Sequence, residues 1–300
     1  KIMRPDIAKE YAKDIRFLYF IAKILEKRYP KLKPVSMIDI FHASMKRELD
    51  FRLEASAYSE MRDNFINDDS VYIPEVHWAA TTQKVLVTSW VDGVSIYNRK
   101  EVLKLGIDPI SLSEKVAVMF FNQSYRDGFF HADLHPGNIF VTKDARIALI
   151  DFGITGRLRE EDRFAVAEIV FGIIKRDYIF VAKTYKHAGY ISKNTDIYLF
   201  AERTRAICEP IAGLALKDIS LAKILEQLFN FTEEFDMTAQ PQLILLQKSM
   251  VILEGIGLSL NSDINMWKLA EPWIKKWAVK NISPEAKLIR LVKNWIEERF

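Results

Sequence analysis

Three hundred residues and 34.8 kDa suffice for one large domain or two smaller ones, with a sizeable buried core. Hydrophobic residues at 49% and charged residues at 28% exclude a disordered or fibrous chain, and a single cysteine, Cys208, excludes a disulfide framework or a multi-cysteine metal site. The net charge of +3 is too balanced for a protein that coats nucleic acid, so no nucleic-acid partner is expected.

Along the chain, Ile7, Tyr11, Ile15, Leu18, Ile21 and Leu25 recur at helical spacing and predict a helix over 5–29, closed by Pro30 and Pro34. A second long helix is expected over 37–65. The period then changes: 71–78 and 84–91 are β-rich runs, and Asp92-Gly93 supplies a turn. A helix over 111–126 carries Val116, Met119, Phe120 and Phe121. It leads to a polar loop at 131–138, a strand at 139–142, a turn at Lys143-Asp144 and a strand at 146–150. Everything after Gly156 reads as helix. Strands gathered in one part and helices in another mean an α+β fold. No stretch reaches the ~18 uninterrupted apolar residues of a membrane span. The nearest, 243–260, is broken by Gln247, Lys248 and Glu254.

The chemistry concentrates in Gly128-Phe-Phe-His-Ala-Asp-Leu-His-Pro-Gly-Asn138, followed by Ile150-Asp-Phe-Gly153. Asn138 opens a short hairpin whose second strand ends at Asp151. A tight turn returns the chain toward its starting end, so Asp151 is expected close to Asn138, with Asp133 alongside. Two carboxylates and an amide oxygen suit phosphoryl transfer on Mg²⁺. The metal takes hard oxygen ligands, and the carboxylate left off the metal accepts the proton of an attacking hydroxyl or water. The order of Asp133, Asn138 and Asp151 matches the kinase signature H-x-D-x-x-x-x-N followed by D-F-G. The bland alternative has Asp133 capping a turn and Asn138 satisfying backbone groups.

A kinase also needs a strand lysine on the nucleotide phosphates and a helix acid to orient it. Lys1 stands where such a strand would end, and the acid would fall within Lys46–Glu54. Glu48 and Asp50 point to different sides of a helix, so one at most faces Lys1. By spacing alone, Glu48 pairs with Arg52 at i+4 on a solvated face.

These residues together resemble one family, the UbiB/ADCK group of atypical kinase-like proteins linked to ubiquinone biosynthesis. Lys1-Ile-Met-Arg-Pro-Asp6 resembles its strand lysine and Pro-containing turn. Glu48-Leu-Asp50, followed by Arg52-Leu-Glu-Ala55, resembles its E-x-D motif, and His131–Asn138 resembles its catalytic loop. The family's K-x-G-Q segment and Ala-rich nucleotide loop precede the strand lysine. The resemblance implies a protein-kinase-like two-lobe fold, with a small lobe truncated at its N-terminus over 1–91 and a mostly helical large lobe over 92–300. It implies ATP and Mg²⁺ as cofactors. Lys1 would lie on the nucleotide phosphates with Glu48 as its ion pair, and Asp50 would belong to the family's extra N-terminal packing and be counted with them among the cofactor-binding residues. Asp133 would be catalytic, and Asn138 and Asp151 would ligate Mg²⁺. Further implied are quinone-biosynthesis enzymes or lipid-like quinone precursors as partners, and the cytoplasmic face of a bacterial inner membrane as location.

Two departures from ordinary protein kinases point away from peptide substrates. Ala132 stands where an Arg would meet an activation-loop phosphate, and apolar helical spacing resumes by Glu160 with no A-P-E tripeptide. The expected function is ATP hydrolysis or phosphorylation of a small or lipid-associated molecule in support of ubiquinone biosynthesis. The rival is a catalytically silent nucleotide-sensing scaffold. A distant third is a metallohydrolase using His131, Asp133 and His135. Residues 264–300 hold eight Lys/Arg against four Glu and four of the six tryptophans. Their Trp273/Trp277 face either rests on anionic lipid or packs on the large lobe.

Overall fold

The computed structural model describes residues 1–28, 48–212 and 241–261, together with residues 35, 38, 39, 42, 235, 272, 273, 276 and 277. The chain forms two compact units, one of Lys1–Asp92 with Ala148–Gly153, the other of Gly93–Ile147 with Ile154–Phe300. The Asp-Phe-Gly segment, expected wholly in the second unit, instead belongs to the first.

In the first unit, the main chain of Lys1 exchanges hydrogen bonds with Leu86 (2.8 and 2.9 Å), and Met3 N–H donates to Lys84 O. Lys1 thus ends an extended segment antiparallel to 84–86. Helix α1 (Ile7–Arg28) buries Ile15 and Ala22 and leaves Phe17, Phe20 and Ile24 at the surface. The second predicted helix does not run through 48–51: α2 (Phe51–Asn64) starts afresh, because the Asp50 carboxylate accepts the Arg52 N–H and caps it. Most of 37–47 lies outside the described residues. The β-rich runs also fall short of the expectation. They yield a two-residue strand, β1 (Val71–Tyr72), a 3₁₀ turn at Trp78–Ala80 and isolated bridges at Ile2–Val85 and Val76–Thr88.

In the second unit, β2 (Gly93–Ser95) pairs antiparallel with β4 (Ile139–Thr142), Gly93 opposite Thr142. Asp92-Gly93 is therefore a strand start and not a turn. Glycine is required there by close approach: a Cβ on Gly93 would lie 2.8 Å from Val141 O. Asn98 caps α3 (Arg99–Lys104), and Asp108 caps α4 (Pro109–Phe121) by accepting the Ile110 and Ser111 N–H groups. The expected helix does not continue unchanged to Arg126. It widens into a π-helical turn, Asn122–Asp127, which Gly128 ends at φ +67°. Strand β3 (Phe129–His131) follows and pairs with β6 (Thr155–Arg157), a short strand not expected from the sequence that ends just before the predicted helical region. Between them, β5 (Ile147–Leu149) leads the chain into the first unit, where it neighbours β1 and runs toward Asp151.

The remainder is helical. Helices α5 (Glu160–Ile174), α6 (Tyr178–His187) and α7 (Ile197–Ala212) pack in sequence, and α8 (Pro241–Leu260) packs on α4 and β6. By length and composition α8 could cross a membrane, despite the polar interruptions noted in the sequence. It instead presents Leu246, Ser249, Met250, Leu253, Ile256 and Leu260 to the core of this unit. Of the basic C-terminal segment, Trp273 donates to Asn122 Oδ1 (3.0 Å) and stacks with Phe121 and Tyr125, while Trp277 meets Phe164. Those two rings pack on α4, the π turn and α5. Cys208, on α7, is buried.

Candidate active site

The first unit assembles a cation and its acids. Lys1 Nζ donates to both oxygens of Glu54 (3.0 Å each) and to Asp151 Oδ1 (2.9 Å). Burial acts to lower the Lys1 pKa, but the hydrogen bonds that the ammonium donates to Asp151 and Glu54 outweigh it, and it is held above its ordinary value. Burial pushes the Glu54 carboxyl up, with the Lys1 hydrogen bond opposing. Glu54 is buried on the inward face of α2, one helical turn before Tyr58. Tyr58 Oη in turn accepts the Asp151 N–H at 2.7 Å, and its ring meets that of buried Phe152 edge-on.

Asp151 itself is left-handed, at φ +62°. That conformation costs a non-glycine residue roughly 1–3 kcal/mol and is tolerated best by Asp and Asn among side chains of this size. It turns the chain sharply after β5 and, with Tyr58 holding the amide, leaves the carboxylate half-exposed beside Lys1. Strain at this point, rather than at Gly153, is what makes the turn; Gly153 serves close approach. A Cβ there would lie 3.2 Å from Glu48 Oε2 and 3.4 Å from Asp151 Oδ1.

The second unit holds the loop between β3 and β4. Buried His131 fixes it through its ring: Nδ1 accepts the Asp133 N–H at 3.1 Å. The Asp133 carbonyl accepts both the His135 N–H (2.8 Å) and Asn138 Nδ2 (3.0 Å). From outside the loop, the side-chain oxygen of Gln123, buried in the π turn, accepts the His131 N–H at 3.0 Å. The Ala132 N–H donates to Ile154 O, extending the β3–β6 pairing by one residue. Asp133 therefore has its main chain locked on both sides while its carboxylate remains accessible. Lys248 Nζ lies 3.2 Å from Oδ1, and His135 Nε2 lies 3.7 Å from Oδ2.

Several expectations for individual residues change. Lys1 pairs with Glu54, not with Glu48, whose carboxylate lies by Gly153. Nor does Arg52 bind Glu48: its guanidinium takes Asp50, at 2.9 and 2.6 Å. Asp50 caps α2 and holds Arg52. Glu54, Tyr58, Gln123 and Lys248 were not singled out from the sequence. For Glu54 a signal existed, since it is an acid set among the inward-facing Phe51, Ala55, Tyr58 and Met61 of α2. For Lys248, 115 residues from Asp133 along the chain, there was none.

The donors available suit a hard divalent cation better than a transition metal. Asp151 offers a carboxylate. Asn138 is buried with its Nδ2 donating to Asp133 O, which leaves Oδ1 as the acceptor atom of that amide. By contrast, the Nδ1 atoms of His131 and His135 each accept a backbone N–H, from Asp133 and Gly137. Among the described residues no group of three or more His, Cys, Asp or Glu side chains is arranged to hold a metal ion. The histidines orient the loop.

Comparison with known proteins identifies the family. Residues 1–185 match the ABC1 atypical kinase-like domain family, and residues 204–265 match the UbiB helical domain family. The chain is 37% identical over 99% of its length to the "Probable protein kinase UbiB" of Marinobacter nauticus, covering 56% of that protein. It is 36% identical to the proteins of that name from Aliivibrio salmonicida and Pseudomonas putida, covering 57% and 54% of them. The chain thus spans a little over half the length of these curated relatives. Among solved structures, the complex of Rv3197 with erythromycin from Mycobacterium tuberculosis aligns over 90% of this chain and 69% of its own. The TM-score is 0.64 at 21% identity, a likeness of fold.

Proposed function

We propose, from the premise that the chain belongs to the ABC1/UbiB family of atypical kinase-like proteins, that it carries out ATP- and Mg²⁺-dependent phosphoryl chemistry in support of ubiquinone biosynthesis. The acceptor in this reading is water or a small or lipid-associated molecule, and not a peptide. Lys1, oriented by Glu54, binds nucleotide phosphates. Asp133 is the base that takes the proton of the acceptor oxygen, and the rigid loop around it supplies the positioning on which phosphoryl transfer chiefly relies. Asp151 and Asn138 would hold Mg²⁺, which supplies charge neutralisation on the phosphates when bound. The observation that carries this reading is the pairing of one lysine with both a helix acid and the Asp of Asp-Phe-Gly.

The proposed setting is the cytoplasmic face of a bacterial inner membrane, near anionic lipid, with quinone-biosynthesis enzymes or lipid-like quinone precursors as partners. Its support is the family and the bacterial origin of the relatives. The test is nucleotide binding by the full-length protein, measured calorimetrically with and without Mg²⁺. Lys1→Met should weaken ATP binding at least tenfold, and Asp151→Asn should remove the Mg²⁺ dependence. Unaltered, Mg²⁺-dependent affinity in both variants would overturn the assignment.

A further inference from the structure

We infer that Lys248, carried by α8, is the positioning cation of Asp133, so that the helical domain completes the catalytic apparatus of the kinase-like domain. This rests on the phosphoryl-transfer reading above and adds a residue that lies outside the kinase-like segment, 1–185, and inside the helical one, 204–265.

The loop from His131 to Asn138 reads His-Ala-Asp-Leu-His-Pro-Gly-Asn and contains neither Lys nor Arg. A carboxylate that must approach a polyphosphate meets strong like-charge repulsion, which a fixed neighbouring cation offsets. Among the described residues, the basic groups within ion-pair reach of Asp133 are Lys248 and His135, and the lysine is the nearer.

An ion pair between half-exposed groups is by default worth little. Two features set this one apart. The carboxylate belongs to a residue whose own N–H and C=O are both locked, so its position is defined before Lys248 arrives. The lysine is likewise placed by its neighbour: buried Ser249 lies with Oγ 3.5 Å from His131 O and donates to Leu245 O at 3.0 Å. Two successive residues of α8 thus meet the catalytic loop, one at its main chain and one at its acid.

In the transfer step, the acceptor oxygen forms a bond to the γ-phosphorus while the bond from that phosphorus to the β,γ-bridging oxygen breaks. ADP leaves with the electron pair, and the acceptor's proton passes to Asp133 Oδ2. Lys248 keeps its proton throughout and holds Oδ1, which fixes the direction in which Oδ2 is presented.

The test is steady-state ATP turnover by the full-length protein with Lys248→Met, Lys248→Gln, Lys248→Arg, Asp133→Asn and the Lys248→Met/Asp133→Asn double variant. Both neutral variants should lower kcat about 10- to 100-fold with KM for ATP changed less than about twofold, and Arg should restore most of the loss. In the Asp133→Asn background, Lys248→Met should cost nothing further. Wild-type kcat in a folded neutral variant, with Asp133→Asn inactive, would overturn this inference and leave the underlying reading standing. An equal loss in both backgrounds would overturn it too. An inactive wild type would overturn both.

Discussion

At the scale of single residues, burial decides which charged groups matter. Glu54 and Glu48 are acids on the same stretch of chain, yet only the one facing inward meets Lys1. With Lys1 present, its hydrogen bond opposes the upward push that burial gives Glu54. Lys1→Met removes that opposition. The Glu54 carboxyl then titrates still further above its unfolded value of 4.5, and the folded state holds its proton to higher pH. An acid raised in this way loses stability as pH climbs from the unfolded pKa through the folded one. The gap in thermal midpoint between wild type and Lys1→Met should therefore widen as pH rises above the unfolded value, and a gap independent of pH would contradict the pairing. Cys208 gives a second check. Burial, reinforced by Glu209, pushes its thiol up to about 12, so the native protein should not react with a thiol reagent at pH 8, while the unfolded chain should.

At the scale of elements, the legible parts were those with a strong local signal. The apolar period of α1, the strand at 139–142 and the Lys143-Asp144 turn all follow from patterns a few residues long. What failed was local pattern without a partner. The β-rich runs at 71–91 have the composition of strands but find ladder partners at few positions, so they bridge rather than pair. The apolar run entering 122–127 reads as more α-helix, and nothing in it signals that the backbone widens into a π turn to bury Gln123 against His131. Gly156 is a packing residue: it pairs with Phe130 across β3–β6, and a Cβ would overlap the Phe130 ring. Gly156→Ala should thus destabilise the protein by about 1–3 kcal/mol, seen as a lowered urea midpoint. At the head of α2, Asp50→Ala should cost about 1 kcal/mol through the lost cap. Neither change touches Lys1, Asp133 or Asp151, so each should alter stability ahead of any nucleotide affinity.

At the scale of the whole molecule, the candidate site was partly readable because its signature residues lie in two short motifs, His131–Asn138 and Asp151–Gly153. The residues that support those motifs are distant in sequence and were not readable. Lys1 reaches Asp151 across 150 positions, Tyr58 reaches the Asp151 amide across 93, and Lys248 reaches Asp133 across 115. Such pairings depend on how helices pack, which no local period encodes. The same reasoning applies to α8, which is apolar enough to suggest a membrane span yet brings Lys248 to Asp133 and Ser249 to the His131 carbonyl. On the proposed reading, in which the kinase-like and helical segments both meet the Asp133 loop, the two are expected to stand or fall together in activity.

The most direct measurement is Mg²⁺-dependent ATP turnover by the full-length protein, with ATP binding recorded in parallel, for wild type and Asp133→Asn. Turnover in the wild type, lost by at least a hundredfold in Asp133→Asn while ATP still binds, is the predicted result. Equal turnover in the two proteins, or turnover in neither, would contradict it.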